Sequence, residues 1–298
     1  NAVGMAIAES IMEERFNTVG FNIINHYTYC FAGDGCLMEG VAQEACSLAG
    51  ALKLKKLIIL YDANNVTIDG PLNLANKENV GKKFRAMGFN VIKVSNGNSY
   101  FSCTRAIARA KKSNKPTIII FKTTIGVGTD KEGTSAVHGA YLTQPELQAF
   151  KEKLKVKESF YVPSDVREYC MATTRRGKLN HEKWNQMLAM YSSTHPELYK
   201  SLMAFFDKKK INFERIVKNI AKYDGQSMRK VNHYALSELA YQCPQLIGGT
   251  ADVAPSTQAF IDNAGNYSYG YKRGKNIHYG VREHAMGAIA NGISLYED

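Results

Sequence analysis

Phe31-Ala32-Gly33-Asp34-Gly35-Cys36-Leu37-Met38-Glu39-Gly40, read together with Asp62-Ala63-Asn64-Asn65, decides the fold. Ahead of it, Tyr27 to Ala32 is aromatic and β-branched and reads as a buried strand. Behind it, Glu39 to Leu52 carries apolar residues at helical spacing, so Asp34 sits on a strand-to-helix turn. Leu57-Ile58-Ile59-Leu60-Tyr61 is a second apolar strand, parallel to the first because a helix lies between them. Asn64-Asn65 falls just past its carboxyl end, which puts both polar clusters on one rim of one sheet.

Open α/β sheets bind ligands at that rim. A carboxylate, a side-chain amide and backbone carbonyls make an oxygen-only site suited to Mg²⁺ or Ca²⁺, with positions left for phosphate oxygens. Glycines 33 and 35 let a diphosphate approach the backbone, and the amino end of the following helix favours its charge. The expectation is a metal-bridged diphosphate site.

Gly33-Asp34-Gly35 followed by Asn64-Asn65 resembles the thiamine-diphosphate motif, and Gly33 to Gly40 with Glu44-Ala45-Cys46-Ser47-Leu48-Ala49-Gly50 resembles the transketolase family. A short glycine-aspartate-glycine run alone is often only a turn; the long matching run carries the likeness. The resemblance implies thiamine diphosphate with Mg²⁺, for which Ca²⁺ or Mn²⁺ can substitute. It makes Asp34 and Asn64 side-chain ligands of the metal, Val66 a carbonyl ligand and Gly35 a diphosphate contact.

The 298 residues are 45% hydrophobic and 22% charged, enough for one or two sizeable cores. No apolar run approaches about twenty residues, so no membrane span is expected. The net charge of +11 is spread through Lys151 to Lys157, Lys208 to Lys210 and Lys272 to Lys275 without an interleaved aromatic pattern. That reads as a solvated basic surface rather than a nucleic-acid interface, and a positive field also suits sugar phosphates. The six cysteines form no CxxC pair and no zinc spacing, which fits a reducing, cytoplasmic compartment. Asn1 to Phe16 lacks the basic start of a secretory signal and reads as an amphipathic helix already under way. The chain stops just after the helical run Ala285 to Leu295, so a fragment is expected, lacking the family's N-terminal segment and C-terminal half.

Residues 1–145 alternate strand and helix. Helices are expected at Lys77 to Met87 and Phe101 to Lys112, strands at Phe89 to Val94 and Thr117 to Phe121. The fold class is α/β, a doubly wound, mostly parallel sheet. By resemblance this is the diphosphate-binding domain. Residues 146–225 read as a helical linker of charged helices, including Lys178 to Tyr191, and residues 226–298 as the start of a second α/β domain that binds the pyrimidine. In it a helix spans Met228 to Tyr241, Pro244 breaks the chain, and a strand covers Gln245 to Gly249.

After the Thr117 strand, Lys122 to Gly128 leads into a polar loop ending Ala136-Val137-His138-Gly139. A histidine in such a loop is commonly a surface residue, although imidazole is also the usual acid–base group. The resemblance makes Ile125 a cofactor-packing residue and turns His138 toward the reacting carbon and the substrate. The family's His-Gly-x-Pro-Leu is here His138-Gly139-Ala140-Tyr141-Leu142, without the proline.

Asp252 and Ser256, in Thr250-Ala251-Asp252-Val253-Ala254-Pro255-Ser256, are plausible caps on their own. This run resembles a family element in which Asp252 contacts cofactor across a dimer interface, while Ser256 and Arg229 take the substrate phosphate. Ile277 to Met286 resembles the family's glutamate element, which makes Glu283 the carboxyl that hydrogen-bonds the aminopyrimidine ring nitrogen, although acidic residues favour first helical turns for dipole reasons alone. Glu39 is a helix-start carboxylate that, by resemblance, helps couple paired sites.

The resemblance implies a homodimer that moves a two-carbon ketol unit from xylulose 5-phosphate to ribose 5-phosphate in the pentose phosphate pathway. Dihydroxyacetone synthase, with formaldehyde as acceptor, and a non-catalytic thiamine-diphosphate-binding relative are the alternatives. A nicotinamide-binding Rossmann domain is disfavoured because no GxGxxG follows the first strand.

Overall fold

The computed structural model describes residues 1–156, 158–207 and 211–296. Lys157 and Lys208 to Lys210 of the lysine-rich stretches lie outside the described residues, as do Glu297 and Asp298 at the end of the second expected domain.

The first half runs α1 (Ala2–Phe16), β1 (Thr28–Gly33), α2 (Gly40–Ala51), β2 (Leu57–Ala63), β3 (Val66–Thr67), β4 (Gly70–Pro71), α3 (Val80–Ala86), β5 (Asn90–Val94), α4 (Tyr100–Ala110) and β6 (Thr117–Lys122). β1, β2, β6 and β5 form one parallel sheet in that order, with Gly33 opposite Asp62 and Ile58 opposite Thr117. Side chains alternate across it. Leu57, Ile59 and Tyr61 join the core under α1, α2 and α3, whereas Ile58 and Leu60 join Ala106 and Ala110 of α4 on the other face. Helices therefore cover both faces, as the alternation predicts.

Three expectations for this half need correction. β1 is an edge strand, and although Ala32 is buried, Phe31 is 83% exposed, because the α4 core takes residues of β2, β5 and β6 and reaches only Tyr27 beside β1. α1 is not amphipathic: Val3, Ala6, Ile7, Ala8, Ile11 and Met12 are buried together with Glu9 and Ser10, since later helices pack around it. α3 is shorter than expected, because the Asn79 side chain accepts from the Lys82 N–H at 2.9 Å and starts the helix there.

The second half contains α5 (Gln144–Lys153), α6 (Ser164–Thr194), α7 (Pro196–Phe206), α8 (Phe213–Ile220), α9 (Met228–Gln242), β7 (Gly248–Thr250), α10 (Ala254–Thr257), β8 (Asn266–Tyr267), β9 (Asn276–His278) and α11 (Glu283–Ser294). The helix expected at Lys178 to Tyr191 lies inside the longer α6, whose Trp184 Nε1 donates to the Ile23 carbonyl at 2.9 Å and whose Tyr191 hydroxyl donates to that of Phe16 at 2.7 Å. β7, β9 and β8 form a second parallel sheet. β7 starts later than expected because a turn closed by Leu246 N–H on the Cys243 carbonyl takes up the residues after Pro244.

α1 and α11 cross where both carry glycine: a Cβ on Gly4 would strike the Ile289 carbonyl, and one on Gly292 the Asn1 carbonyl. Below β2, Lys56 Nζ lies 2.5 Å from Glu9 Oε1 and 3.3 Å from Glu13 Oε1. Burial pushes the Glu9 carboxyl above its ordinary range, and Lys56 opposes the shift. Among the described residues no helix is long and apolar enough to cross a membrane.

Candidate functional site

At the carboxyl end of β1 the chain turns sharply, with Leu37 N–H on the Gly33 carbonyl and Met38 N–H on that of Gly35, and enters α2. Asp34 is held inside this turn at 5% exposure. Its carboxylate accepts from the Tyr61 hydroxyl at the end of β2 and from the Asn65 N–H at 2.8 Å. Asn65 has φ +62, a left-handed conformation that Asn tolerates. The Asn64 side-chain oxygen Oδ1 accepts from Val66 N–H at 3.0 Å, and its Nδ2 donates to Asp62 Oδ2 at 3.2 Å. Asp62 also accepts from the Thr123 hydroxyl just beyond β6. The structure thus brings Asp34, Asn64 and Val66 together on one rim. Pro71, opposite Val66 in the β3–β4 ladder, has no N–H to offer its carbonyl.

These residues fit a hard divalent cation. Asp34 is buried yet forms no ion pair among the described residues, so its charge lacks a cationic partner. Those residues also contain no cluster of three or more His, Cys, Asp or Glu, which leaves one carboxylate, one amide and backbone oxygens, a set for Mg²⁺ or Ca²⁺ rather than zinc. Neither Gly33 nor Gly35 has a left-handed φ, and an added Cβ would meet no atom within 4 Å at either. What glycine leaves there is room beside the turn. Burial, the bond to Asp34 and its charge push the Tyr61 phenol well above its ordinary range, so it stays a donor.

Because β6 runs parallel to β2, the loop after it leaves from the same rim. Ile125 is half-buried and its carbonyl accepts from Gly133 N–H at 2.8 Å. His138 closes a short turn through its N–H on the Ser135 carbonyl, and its side chain is exposed, with no hydrogen bond among the described residues. The loop is tied to α5 by Lys131 with Glu146 at 2.6 Å and by Lys153 Nζ donating to the Gly128 carbonyl at 3.1 Å. Hydrogen bonds from Lys131 and then from Thr143 hold the Glu146 carboxyl down at about 2.

The second sheet carries another polar group. Arg229 Nη1 donates to the Ser256 carbonyl at 3.5 Å, the Ser256 hydroxyl donates to Val253 O at 3.1 Å, and Asp252 is exposed with φ +65. Glu283 is exposed in the first turn of α11. That turn is docked on α2: the Glu44 carboxylate accepts from Ala285 N–H at 2.9 Å, and Arg282 Nη2 donates to the Ser47 hydroxyl at 3.1 Å. Among the described residues no hydrogen bond or ion pair joins Arg229, Asp252, Ser256 or Glu283 to the Asp34 group.

Sequence reading missed Tyr61, Thr123 and the Glu44 cap. Tyr61 ends the strand already assigned, and Glu44 lies within the run already quoted, but their partners are set by tertiary contacts. A cavity of about 750 Å³ between α1, α7 and α11, walled by residues such as Ile11, Met12, Phe205 and Met286, touches none of the candidate residues.

Residues 1–211 match the family described as "Transketolase, thiamine diphosphate binding domain", and residues 224–298 match "Transketolase, pyrimidine binding domain". A transketolase of Geobacillus stearothermophilus is 42% identical over 301 residues, and transketolase 1 of Saccharomyces cerevisiae 40% over 313, each covering 99% of this chain. The chain spans 45% of the length of both relatives. Among solved structures, a transketolase from Leishmania mexicana superposes with a TM-score of 0.91 at 39% identity. One from Pichia stipitis, in complex with sedoheptulose-7-phosphate, gives 0.91 at 35%. Each covers 99% of this chain and is itself covered to 45%.

Proposed function

The chain belongs to the transketolase family, and on that premise we propose that it carries the metal–diphosphate site, and part of the pyrimidine site, of an enzyme transferring a two-carbon ketol unit from xylulose 5-phosphate to an aldose phosphate such as ribose 5-phosphate, in the pentose phosphate pathway. The observation that carries the reading is Asp34, a buried carboxylate without a cationic partner among the described residues, beside an amide and a glycine turn that leaves open space.

Thiamine diphosphate supplies, when bound, a nucleophilic carbon and an electron sink for breaking the bond between C2 and C3 of a donor ketose. Asp34 and Asn64 side chains and the Val66 carbonyl hold Mg²⁺, for which Ca²⁺ or Mn²⁺ can substitute. Gly35 leaves the backbone open to a diphosphate at the amino end of α2. Ile125 packs on the cofactor, and His138, exposed on its loop, moves protons at the substrate oxygens. Glu283 holds a proton at the pyrimidine ring nitrogen, and Asp252 adds a cofactor contact. Arg229 and Ser256 bind the substrate phosphate, where a guanidinium and a hydroxyl suit its oxygens.

The same reading divides the chain at residues 145 and 225 and makes the protein a cytoplasmic homodimer, its sites shared between subunits. Six free cysteines, and the lack among the described residues of any hydrogen bond or ion pair joining the Asp34 and Glu283 groups within one chain, support it. The test is the full-length protein with thiamine diphosphate and Mg²⁺, xylulose 5-phosphate as donor, and ribose 5-phosphate against formaldehyde as acceptor. Faster sedoheptulose 7-phosphate formation supports the proposal; faster dihydroxyacetone formation replaces it with dihydroxyacetone synthase, and neither product leaves a non-catalytic binding relative.

A further inference from the structure

His233 lies one helical turn after Arg229 on α9, and both face the segment that carries Ser256. Its Nδ1 lies 2.9 Å from the Gln258 carbonyl oxygen and its Nε2 3.0 Å from Asp262 Oδ2. Neither partner has a proton to give, so the ring must donate at each nitrogen it bonds through. A neutral imidazole serves one partner at a time, and an imidazolium serves both. The ring is enclosed rather than solvated: its side chain is 14% exposed, and Phe260 packs on it with centroids 4.9 Å apart.

α10, which carries Ser256, is a single turn of four residues ended by Gln258 at φ +54. So short a helix has no stability of its own. The segment beyond it is fastened at its far end by Asn276, which accepts from Ile261 N–H at 2.7 Å and donates to its carbonyl at 2.9 Å. At the near end Arg229 reaches only the Ser256 carbonyl, at 3.5 Å. His233 holds Gln258, between these two points, and Asp262, one residue beyond the second.

We propose that His233 is the positioning residue of the substrate-phosphate clamp: by bridging Gln258 and Asp262 it fixes the Ser256 turn against the helix that bears Arg229. This rests on the reading that Arg229 and Ser256 take the phosphate. The ring itself touches no substrate; it decides whether the hydroxyl and the guanidinium converge.

The experiment is steady-state kinetics of the full-length holoenzyme with ribose 5-phosphate as acceptor, comparing xylulose 5-phosphate with unphosphorylated xylulose as donor. His233→Ala should raise KM for xylulose 5-phosphate about tenfold, the scale of a lost charge-assisted hydrogen bond, with kcat within about twofold and KM for xylulose unchanged. An equal rise for both donors, or no rise for either, overturns the proposal. Should the alanine variant not fold, His233→Gln retains one donor and should give an intermediate rise, again confined to the phosphorylated donor; a rise shared by both donors overturns the proposal in that variant too. Arg229→Ala separates the two layers of the argument. A selective KM rise there without one in the His233 variants refutes the positioning role alone, and no selective rise in Arg229→Ala refutes the clamp and the proposal with it.

Discussion

The Tyr61 hydroxyl donates to the Asp34 carboxylate, joining the last core residue of β2 to the first polar residue after β1. Tyr61 lies opposite Ala32 in the ladder, so the pairing of two parallel strands sets the orientation of the carboxylate. Removing Asp34 as alanine should abolish Mg²⁺-dependent binding of thiamine diphosphate. Tyr61→Phe should leave the fold intact and weaken Mg²⁺ affinity about ten- to a hundredfold, the usual cost of losing an outer-shell partner. Calorimetric titration of the metal checks both, and unchanged binding in Asp34→Ala would refute the metal assignment.

Glu283→Gln keeps the size of the side chain and removes the ionisable proton. The full-length variant should retain the cofactor and lose turnover by about a hundredfold or more, the range for a missing acid–base group. Cofactor titration followed by single-turnover kinetics separates the two effects. Wild-type rates would sink the proton-holding role.

Lys56 is buried between Glu9 and Glu13, so Lys56→Met leaves the Glu9 carboxylate without its cation. Loss of one partner from a buried pair should cost about 3–5 kcal/mol, whereas Glu9→Gln with Lys56→Met should recover much of it. Urea midpoints of the single and double variants measure the difference.

Glu146 is held at about 2 against an ordinary 4.5, first by Lys131 and then by Thr143. A carboxyl lowered on folding stabilises the folded state above its ordinary value and ceases to do so as pH falls. The tie between α5 and the His138 loop should therefore hold above about pH 4.5 and loosen on acidification toward pH 2. Being exposed, it should also weaken with salt. Hydrogen exchange of residues 126–138 reports it, and Glu146→Gln should show the faster exchange already at neutral pH.

The parallel sheet and its rim could be read from the residues because they depend on local pattern: Leu57 to Tyr61 is apolar throughout, and Asp34 and Asn64 directly follow strands. The half-exposed face of β1 could not, since it depends on where α4 ends its reach rather than on Tyr29 or Phe31 themselves. The burial of Glu9 escaped for a similar reason, because Lys56 stands 47 positions away in sequence. Arg229 and Ser256 were paired by family likeness, yet His233, on the same helix face, has no local signature: its partners Gln258 and Asp262 are ordinary loop residues until α9 is laid beside them.

α2 begins at the turn that encloses Asp34 and, one and two turns along, holds the helix of Glu283 through Glu44 and Ser47. Its length is therefore a ruler between two chemical groups that never touch. A single residue inserted into it would rotate everything beyond by about 100° and advance it by about 1.5 Å, so the spacing of the two half-sites is quantised by the helix pitch. Between Gly40 and Ser47, therefore, a substitution leaves that spacing intact and an insertion does not.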